Sequence, residues 1–291
     1  MIQERKLRVR APDGAESDAT VFVVPEIPPR AVVVCFPAMG VAASYYTELA
    51  RALARPGLCV VTAELRGIGS SSLRASRAVN FGYRELVTLD LPSVIAAARA
   101  EVPDARLVLL GHSIGAHLSA MYASVNPGTV DALVFAAAGT SYFRCWDAPM
   151  NRRLFGFAWF TRAVSGVLGY FPGRRFGFFG TEARRLIGEW ATLTTRGRFE
   201  VRGAAQRFED TLPTLRAPVL ALSFAGDEIA PQAAVEHFLA KMPQASVTRV
   251  RMRPDELGAP ALDHFRWAKY PGAVADRIAA WLKETAGVLP E

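Results

Sequence analysis

The chain has 291 residues, about half of them hydrophobic and a fifth charged, a composition typical of a globular protein with one large or two small domains. The N-terminal stretch MIQERKLRVR is charged, and no uninterrupted run of about 18 apolar residues occurs, so we expect neither a signal peptide nor a spanning helix, and a cytoplasmic location by default. The net charge of +7 comes from residues 141–207, which hold twelve Arg and four acidic residues. Nucleic-acid binding is the least expected function for this basic segment, since the sequence contains no known nucleic-acid-binding module.

The order of apolar runs and amphipathic stretches predicts alternating strands and helices. Strands are predicted at 6–10, 20–24, 31–36, 58–64, 106–110, 131–137, 218–224 and 246–252. Helices are predicted at 45–53, 84–100 with Pro92 as a kink or restart, 114–124, 233–241 and 273–284. This order favours an α/β fold with a mostly parallel central sheet and helices on both faces.

The alternation breaks at residues 141–204, which are aromatic, rich in Arg and interrupted by Gly and Pro. We therefore expect residues 1–140 and 205–291 to form the α/β core and residues 141–204 to form a cap inserted above the sheet. Of the three cysteines, Cys35 and Cys59 fall in buried strand patterns, which favours reduced core thiols over disulfides. No metal-ligand cluster or zinc spacing occurs, so we expect neither metal nor cofactor.

The sharpest motif is Gly111-His112-Ser113-Ile114-Gly115, between a predicted strand and a predicted helix. This is the setting of a G-x-S-x-G elbow, where a tight turn lifts the serine hydroxyl above the sheet edge at a helix N-terminus. Bulky residues in place of the glycines would clash with the neighbouring strand and helix. Ser113 is thus the expected nucleophile; the alternative is a serine that only caps the helix.

A serine nucleophile needs a base, and the chain has four histidines. His264 follows the last predicted strand, where the base arrives in the chain order serine, acid, histidine. His112 lies inside the elbow with its side chain directed away from the hydroxyl. His117 is expected to be packed and hydrogen-bonded, and His237 to lie on a surface or packing position.

The expected acid is Asp227, which comes directly after the strand PVLALSF and would orient the imidazole and stabilise its cation. Asp227 could instead serve only as a turn or cap residue. Glu228 is adjacent in sequence but should point elsewhere, and Asp263 should diverge from its neighbour His264.

Acyl chemistry also needs two donors for the developing oxyanion. One should be the backbone N–H of Ile114; the other should come from the loop after 31–36, from Ala38 or, next to it, Met39. The loop Arg66-Gly67-Ile68-Gly69-Ser70 lacks a phosphate-binding pattern and is interpreted as structural.

These features together resemble the α/β-hydrolase superfamily and, more narrowly, a bacterial group of predicted α/β-hydrolases related to the serine aminopeptidase and lysophospholipase-like branch. The resemblance rests on FPAMGVAASYY (36–46), ELRGIGSS (64–71), DLPSVI (90–95), GHSIGAH (111–117), GYFPGRR (169–175), LSFAGDEIAP (222–231) and DHF (263–265). Many members have His-Gly where this chain has Phe36-Pro37. The oxyanion hole needs only backbone N–H donors there, so it is still expected, but the substrates of the His-Gly members cannot be assumed for this chain.

The composition of residues 141–204 is the main indication of the substrate class. Fourteen of the chain's 29 aromatic residues lie between Tyr142 and Phe199, which favours an apolar wall for an acyl or aryl group. The arginines would suit an anionic substrate, a cap facing anionic lipid, or simply water. The candidate substrate-binding residues are Met39, His112, Trp146, Trp159, Arg174 and Arg175.

Three function classes fit these expectations. The first is an esterase, thioesterase or related acyl hydrolase acting on a small acyl substrate. The second is an acyltransferase, lyase or cyclase that uses the same triad, and the third is a non-catalytic binding protein. An intact triad argues against the third, whereas the fold does not separate the first two.

Overall fold

A computed structural model describes residues 1–55, 57–177 and 180–284. Its strands are β1 (Gln3–Arg10), β2 (Glu16–Val23), β3 (Ala31–Phe36), β4 (Leu58–Ala63), β5 (Arg106–His112), β6 (Ala132–Ala136), β7 (Tyr170–Pro172), β8 (Thr181–Ala183), β9 (Val219–Phe224) and β10 (Val247–Met252). Eight of them form one sheet in the order β1-β2-β4-β3-β5-β6-β9-β10. The pairs β1–β2 and β2–β4 are antiparallel, and all other pairs in this sheet are parallel.

The α-helices are α1 (Thr47–Leu53), α2 (Tyr83–Glu85), α3 (Leu91–Glu101), α4 (Ile114–Val125), α5 (Met150–Leu168), α6 (Arg184–Arg196), α7 (Phe208–Thr211), α8 (Gln232–Leu239), α9 (Pro254–Leu257) and α10 (Pro271–Glu284). Short 3₁₀ turns cover Ala43–Tyr46, Phe143–Cys145, Gly173–Phe176, Leu212–Thr214 and Arg266–Lys269. A π-helical stretch, Leu86–Asp90, precedes α3, so the helix restarts next to Pro92, as the sequence predicts.

The central strands are buried on both faces, as their unbroken apolar runs predict. Every residue of β3 is buried. Val32 and Val34 belong to the core that includes α3 and α4, whereas Val33 and Cys35 belong to the core that includes α1 and α10. This alternation follows from the two-residue period of a strand and confirms a mostly parallel sheet covered by helices on both sides.

The 141–204 segment is mainly helical, which its irregular sequence pattern did not reveal. Helices α5 and α6 pack against each other, and β7 pairs with β8 in a separate two-stranded sheet. The glycines that seemed to interrupt the segment end its helices: Gly169 and Gly197 take φ values of +85° and +68° after α5 and α6. This left-handed conformation is one that glycine adopts without strain.

All three cysteines are unpaired, and Cys35 and Cys59 are buried, as expected. Burial raises the pKa of the Cys35 thiol to about 12 and that of Cys59 to about 11. Within the described ranges, no helix is long and apolar enough to cross a bilayer. The same residues contain no cluster of three or more His, Cys, Asp or Glu side chains that could hold a metal ion.

Candidate active site

Ser113 occupies a strained turn between β5 and α4. Its backbone has φ 53° and ψ −116°, a region that residues other than glycine rarely adopt. Its N–H donates to the carbonyl of Ala136 on the adjacent strand β6, at 3.1 Å. The surrounding sheet therefore holds the strain, which is common where a side chain is positioned for chemistry.

The two glycines that flank Ser113 are required by close packing. A Cβ atom on Gly111 would overlap the backbone of Ala116 on α4, and one on Gly115 would overlap the carbonyl of Phe36 at the end of β3. Either clash involves backbone atoms, which cannot shift without disturbing the neighbouring strand or helix. The structure thus confirms the steric reason that the sequence gives for the glycines of the G-x-S-x-G motif.

His264 and Asp227 form a buried pair. The Nδ1 atom of His264 lies 2.9 Å from Oδ2 and 3.2 Å from Oδ1 of Asp227. Oδ1 also accepts the backbone N–H groups of Ile229 at 2.9 Å and Ala230 at 2.8 Å, which fix the carboxylate. Both residues are less than a tenth exposed. A carboxylate held in this way assigns the proton to Nδ1 and leaves Nε2 able to accept one.

The other acids near this pair point elsewhere. Oδ1 of Asp263 accepts the backbone N–H groups of Phe265 and Arg266, and its carboxylate pairs with the Arg266 guanidinium. Glu228 has an exposed side chain, and its backbone carbonyl accepts the indole N–H of Trp146. Neither carboxylate bonds to His264, in agreement with the sequence prediction.

His117 and His237 are engaged in other hydrogen bonds. Nε2 of His117 donates to the carbonyl of Gly139 at 3.0 Å, and Nδ1 of His237 lies 2.8 Å from the hydroxyl of Thr140. Burial lowers the pKa of His117 to about 4. His117 is therefore the packed, hydrogen-bonded residue that the sequence predicts.

Ser113 and His264 lie in the wall of one cavity of about 360 Å³. Apolar side chains dominate this wall, and the 141–204 segment supplies several of them: Trp146, Met150, Leu154, Phe157 and Trp190. Among the described residues, the Ser113 hydroxyl has no hydrogen-bond partner.

The loop after β3 places both of its expected donors, Ala38 and Met39, in the cavity wall. The N–H of Ala38 donates to the hydroxyl of Tyr46 at 3.1 Å, so it already has a partner. The N–H of Met39 has no partner within the described chain, and Met39 lies in the cavity wall. Ile114 also lines the cavity and is the first residue of α4, where helical N–H groups have no partner inside the helix.

His112 lies beneath the site, outside the described cavity wall. It is fully buried and is not among the cavity-lining residues that the structure describes. A hydrogen bond of 2.6 Å joins its Nδ1 to the Tyr46 hydroxyl, and its ring centroid lies 5.0 Å from that of His264. Burial, together with the nearby His264, holds the pKa of His112 well below its usual range, so the ring stays neutral under His264.

Of the remaining substrate-binding candidates, Met39 and Trp146 line the cavity and three others do not. Trp159 is 55% exposed on the outer face of α5, two residues along from the inward-facing Phe157. Arg174 and Arg175 are exposed on a 3₁₀ turn and are likewise outside the described wall. The helical register of α5 and the short turn direct these three side chains outward.

The arginines of the 141–204 segment do not reach the serine. No arginine belongs to the described wall of the Ser113 cavity. Four of them, Arg162, Arg196, Arg198 and Arg202, instead line a separate groove of about 510 Å³ together with Arg207. An anionic group on the substrate would therefore find no cationic side chain beside Ser113.

Two buried polar residues of the cavity wall were not among the predicted substrate-binding residues. Tyr83 and His117 both line the cavity, and Tyr83 Oη and His117 Nδ1 are buried without a partner in the described part of the chain. Burial raises the pKa of Tyr83, so its phenol stays protonated. The position of His117, one helical turn after Ser113, indicates that its side chain can reach the cavity. No sequence pattern indicates the same for Tyr83.

Several solved structures share the fold of this chain. The esterase domain of a Rhodothermus marinus protein is 15% identical, with a TM-score of 0.63, and the match covers 98% of this chain and all of that one. A thioesterase domain from the curacin biosynthetic pathway is 19% identical, with a TM-score of 0.58 and coverage of 96% and 99%. The monoacylglycerol lipase of Paleococcus ferrophilus is 16% identical, with a TM-score of 0.62 and coverage of 99% and 100%.

Likenesses at this level of identity establish a shared fold. The sequence adds an independent match, because the family model described as the alpha/beta hydrolase fold matches residues 31–177, half of the chain. That stretch runs from β3 through the elbow at Ser113 to the end of the turn after β7. The chain belongs to the α/β-hydrolase fold family.

Proposed function

We propose that the chain is a serine hydrolase that cleaves an ester or thioester of a largely apolar acyl group. One observation carries the proposal: a serine on a strained elbow shares a cavity wall with a histidine that a buried carboxylate orients. Likeness in fold to two esterases or lipases and a thioesterase supports this reaction class. The motifs named above further support a place near the serine aminopeptidase and lysophospholipase-like branch.

The proposed reaction has two halves. The Ser113 oxygen attacks the carbonyl carbon while Nε2 of His264 takes the hydroxyl proton, and Asp227 stabilises the imidazolium. The tetrahedral oxyanion accepts hydrogen bonds from the N–H groups of Ile114 and Met39. His264 then returns the proton to the leaving alcohol or thiol, which gives the acyl-enzyme. Water attacks this ester, its proton passes to His264, and the acid product leaves as Ser113 regains its proton.

The wall of the cavity supports an apolar acyl group in this role. Within the described wall, Met39, Trp146, Phe157 and other apolar side chains surround Ser113, whereas no arginine approaches it. The 141–204 segment contributes helix α5 and Trp190 on α6 to that wall, so we propose that it is a cap on a core of residues 1–140 and 205–291. A small acyl substrate would thus be enclosed between cap and core.

Labelling with a fluorophosphonate tests the nucleophile. The reagent should attach to the peptide that contains Ser113, as mass spectrometry would locate it, and Ser113→Ala should fold but remain unlabelled. Ser141→Ala is the matched control, because Ser141 also lines the cavity but its hydroxyl bonds to that of Thr194 at 2.7 Å. Labelling that survives in Ser113→Ala would contradict the proposal.

A further inference from the structure

The outward face of α5 is apolar where a surface helix is normally polar. Its solvent-exposed residues include Phe155, Trp159, Phe160 and Val167, the last of them 73% exposed. In the described part of the chain ten large hydrophobic side chains are exposed, and seven of them lie between Met150 and Phe176. Exposed apolar surface concentrated in this way marks an interaction site more often than chance.

The charges around this face are mostly positive. Residues 147–181 contain five arginines and a single acid, Asp147. Four of these arginines are exposed and form no ion pair among the described residues: Arg152, Arg153, Arg174 and Arg175. The face therefore combines aromatic side chains with unneutralised guanidinium groups, the composition that suits the boundary between anionic headgroups and acyl chains.

We propose that the outward face of α5 and the adjoining turn Gly173–Phe176 dock on an anionic lipid surface. The 19-residue helix is about 28 Å long, so it can lie in the plane of the interface with Trp159 and its apolar neighbours inserted. Arg152 and Arg153 at its start, with Arg174 and Arg175 on the turn, then contact the headgroups. Another protein copy would not use this set of arginines, because like charges would face each other across a symmetric interface.

The docking face lies on the helix that closes the cavity. The inner side of α5 supplies Met150, Leu154 and Phe157 to the cavity wall, and half-exposed Ile229 links that wall to the surface. A molecule in the lipid layer would thus need to pass only the edge of α5 to reach Ser113. This step rests on the proposed function and deepens it: the substrate class becomes acyl esters dissolved in a membrane.

Vesicle binding tests the docking without any turnover. Full-length Ser113→Ala should sediment with vesicles of phosphatidylglycerol and phosphatidylcholine, more weakly with phosphatidylcholine alone, and less as salt rises. Adding Trp159→Ser and Val167→Ser should lower the partition coefficient at least about tenfold, because two side chains of this size lose their buried area. Ile27→Ser, which removes an exposed apolar side chain on the far loop after β2, is the matched control and should bind normally.

Tryptophan emission supplies a residue-specific readout. Vesicles should shift the emission to the blue, and Trp159→Phe should abolish most of that shift, since Trp159 is the indole on the docking face. Equal binding by the Trp159→Ser, Val167→Ser variant and the control would overturn the proposal, as would a dimer in solution that this variant dissolves. Docking without labelling of Ser113 would refute the proposed function alone, and labelling without docking would refute only this inference.

Discussion

Glu182, on β8, should make the folded protein less stable as the pH rises. Its side chain is 3% exposed, and Oε1 is buried with no hydrogen-bond partner among the described residues, beside Gly180. Burial raises the pKa of this carboxyl from 4.5 to about 7. The unfolded chain therefore releases the proton near pH 4.5, whereas the folded protein keeps it until about pH 7.

The sign and size of the effect follow from that difference. The stabilisation from the retained proton is complete below pH 4.5 and is lost as the pH rises through about 7. At about 1.4 kcal/mol for each pH unit, the free energy of unfolding should fall by about 3 kcal/mol across this window. Glu182→Gln cannot ionise, so its stability relative to wild type should rise by a similar amount over the same window.

Urea unfolding of both proteins at a series of pH values measures this difference directly. Other groups titrate in both proteins, so their contributions cancel in the comparison. Glu200→Gln is the matched control, because Glu200 is an exposed carboxylate in the same 141–204 segment and its substitution should give a flat difference. A flat difference for Glu182→Gln between pH 5 and 8 would refute the argument that burial dominates at this carboxyl.

Three further predictions concern the site. Asp227→Asn should keep the fold but lower kcat by about 10⁴-fold on a chromogenic ester, because an amide favours the wrong tautomer of His264; near-normal turnover would contradict this. Gly115→Ala should destabilise the protein by about 2 kcal/mol and slow fluorophosphonate labelling, since its Cβ would overlap backbone; thermal unfolding and labelling rates check both. Tyr46→Phe should cost about 1–3 kcal/mol in urea unfolding, because it leaves the N–H of Ala38 and the ring of His112 without their partner.

The centre of the sheet could be predicted from the sequence because its central strands are almost entirely apolar. A strand that is buried on both faces needs an unbroken run of apolar residues, such as AVVVCF in β3. The polar or glycine-containing loops that follow such runs mark where the strands end. The elbow could be predicted because packing against Phe36 and Ala116 demands glycine at fixed positions. The Asp227–His264 pair could be predicted because each residue lies in a loop that follows a strand. In α/β proteins such loops meet at the carboxyl ends of the strands, where ligands bind.

Other features depend on contacts between segments and had no local signal. Helix α5 has aromatic residues on its inner face, at Phe157, and on its outer face, at Trp159, so its pattern lacks the usual amphipathic period. Counting along the loop favours Ala38 as an oxyanion donor, but it cannot reveal that the N–H of Ala38 donates to the hydroxyl of Tyr46. Tyr83 reaches the cavity from a short helix that no motif marked.

The buried thiols make the protein convenient for chemical labelling at one position. Thiol reagents react with the thiolate, so the high pKa values and burial of Cys35 and Cys59 protect both near neutral pH. Cys145 is partly exposed and precedes Trp146, whose side chain lines the cavity. Burial raises the pKa of the Cys145 thiol as well, but its partial exposure makes it the cysteine that a maleimide fluorophore should reach first, one residue from the cavity wall.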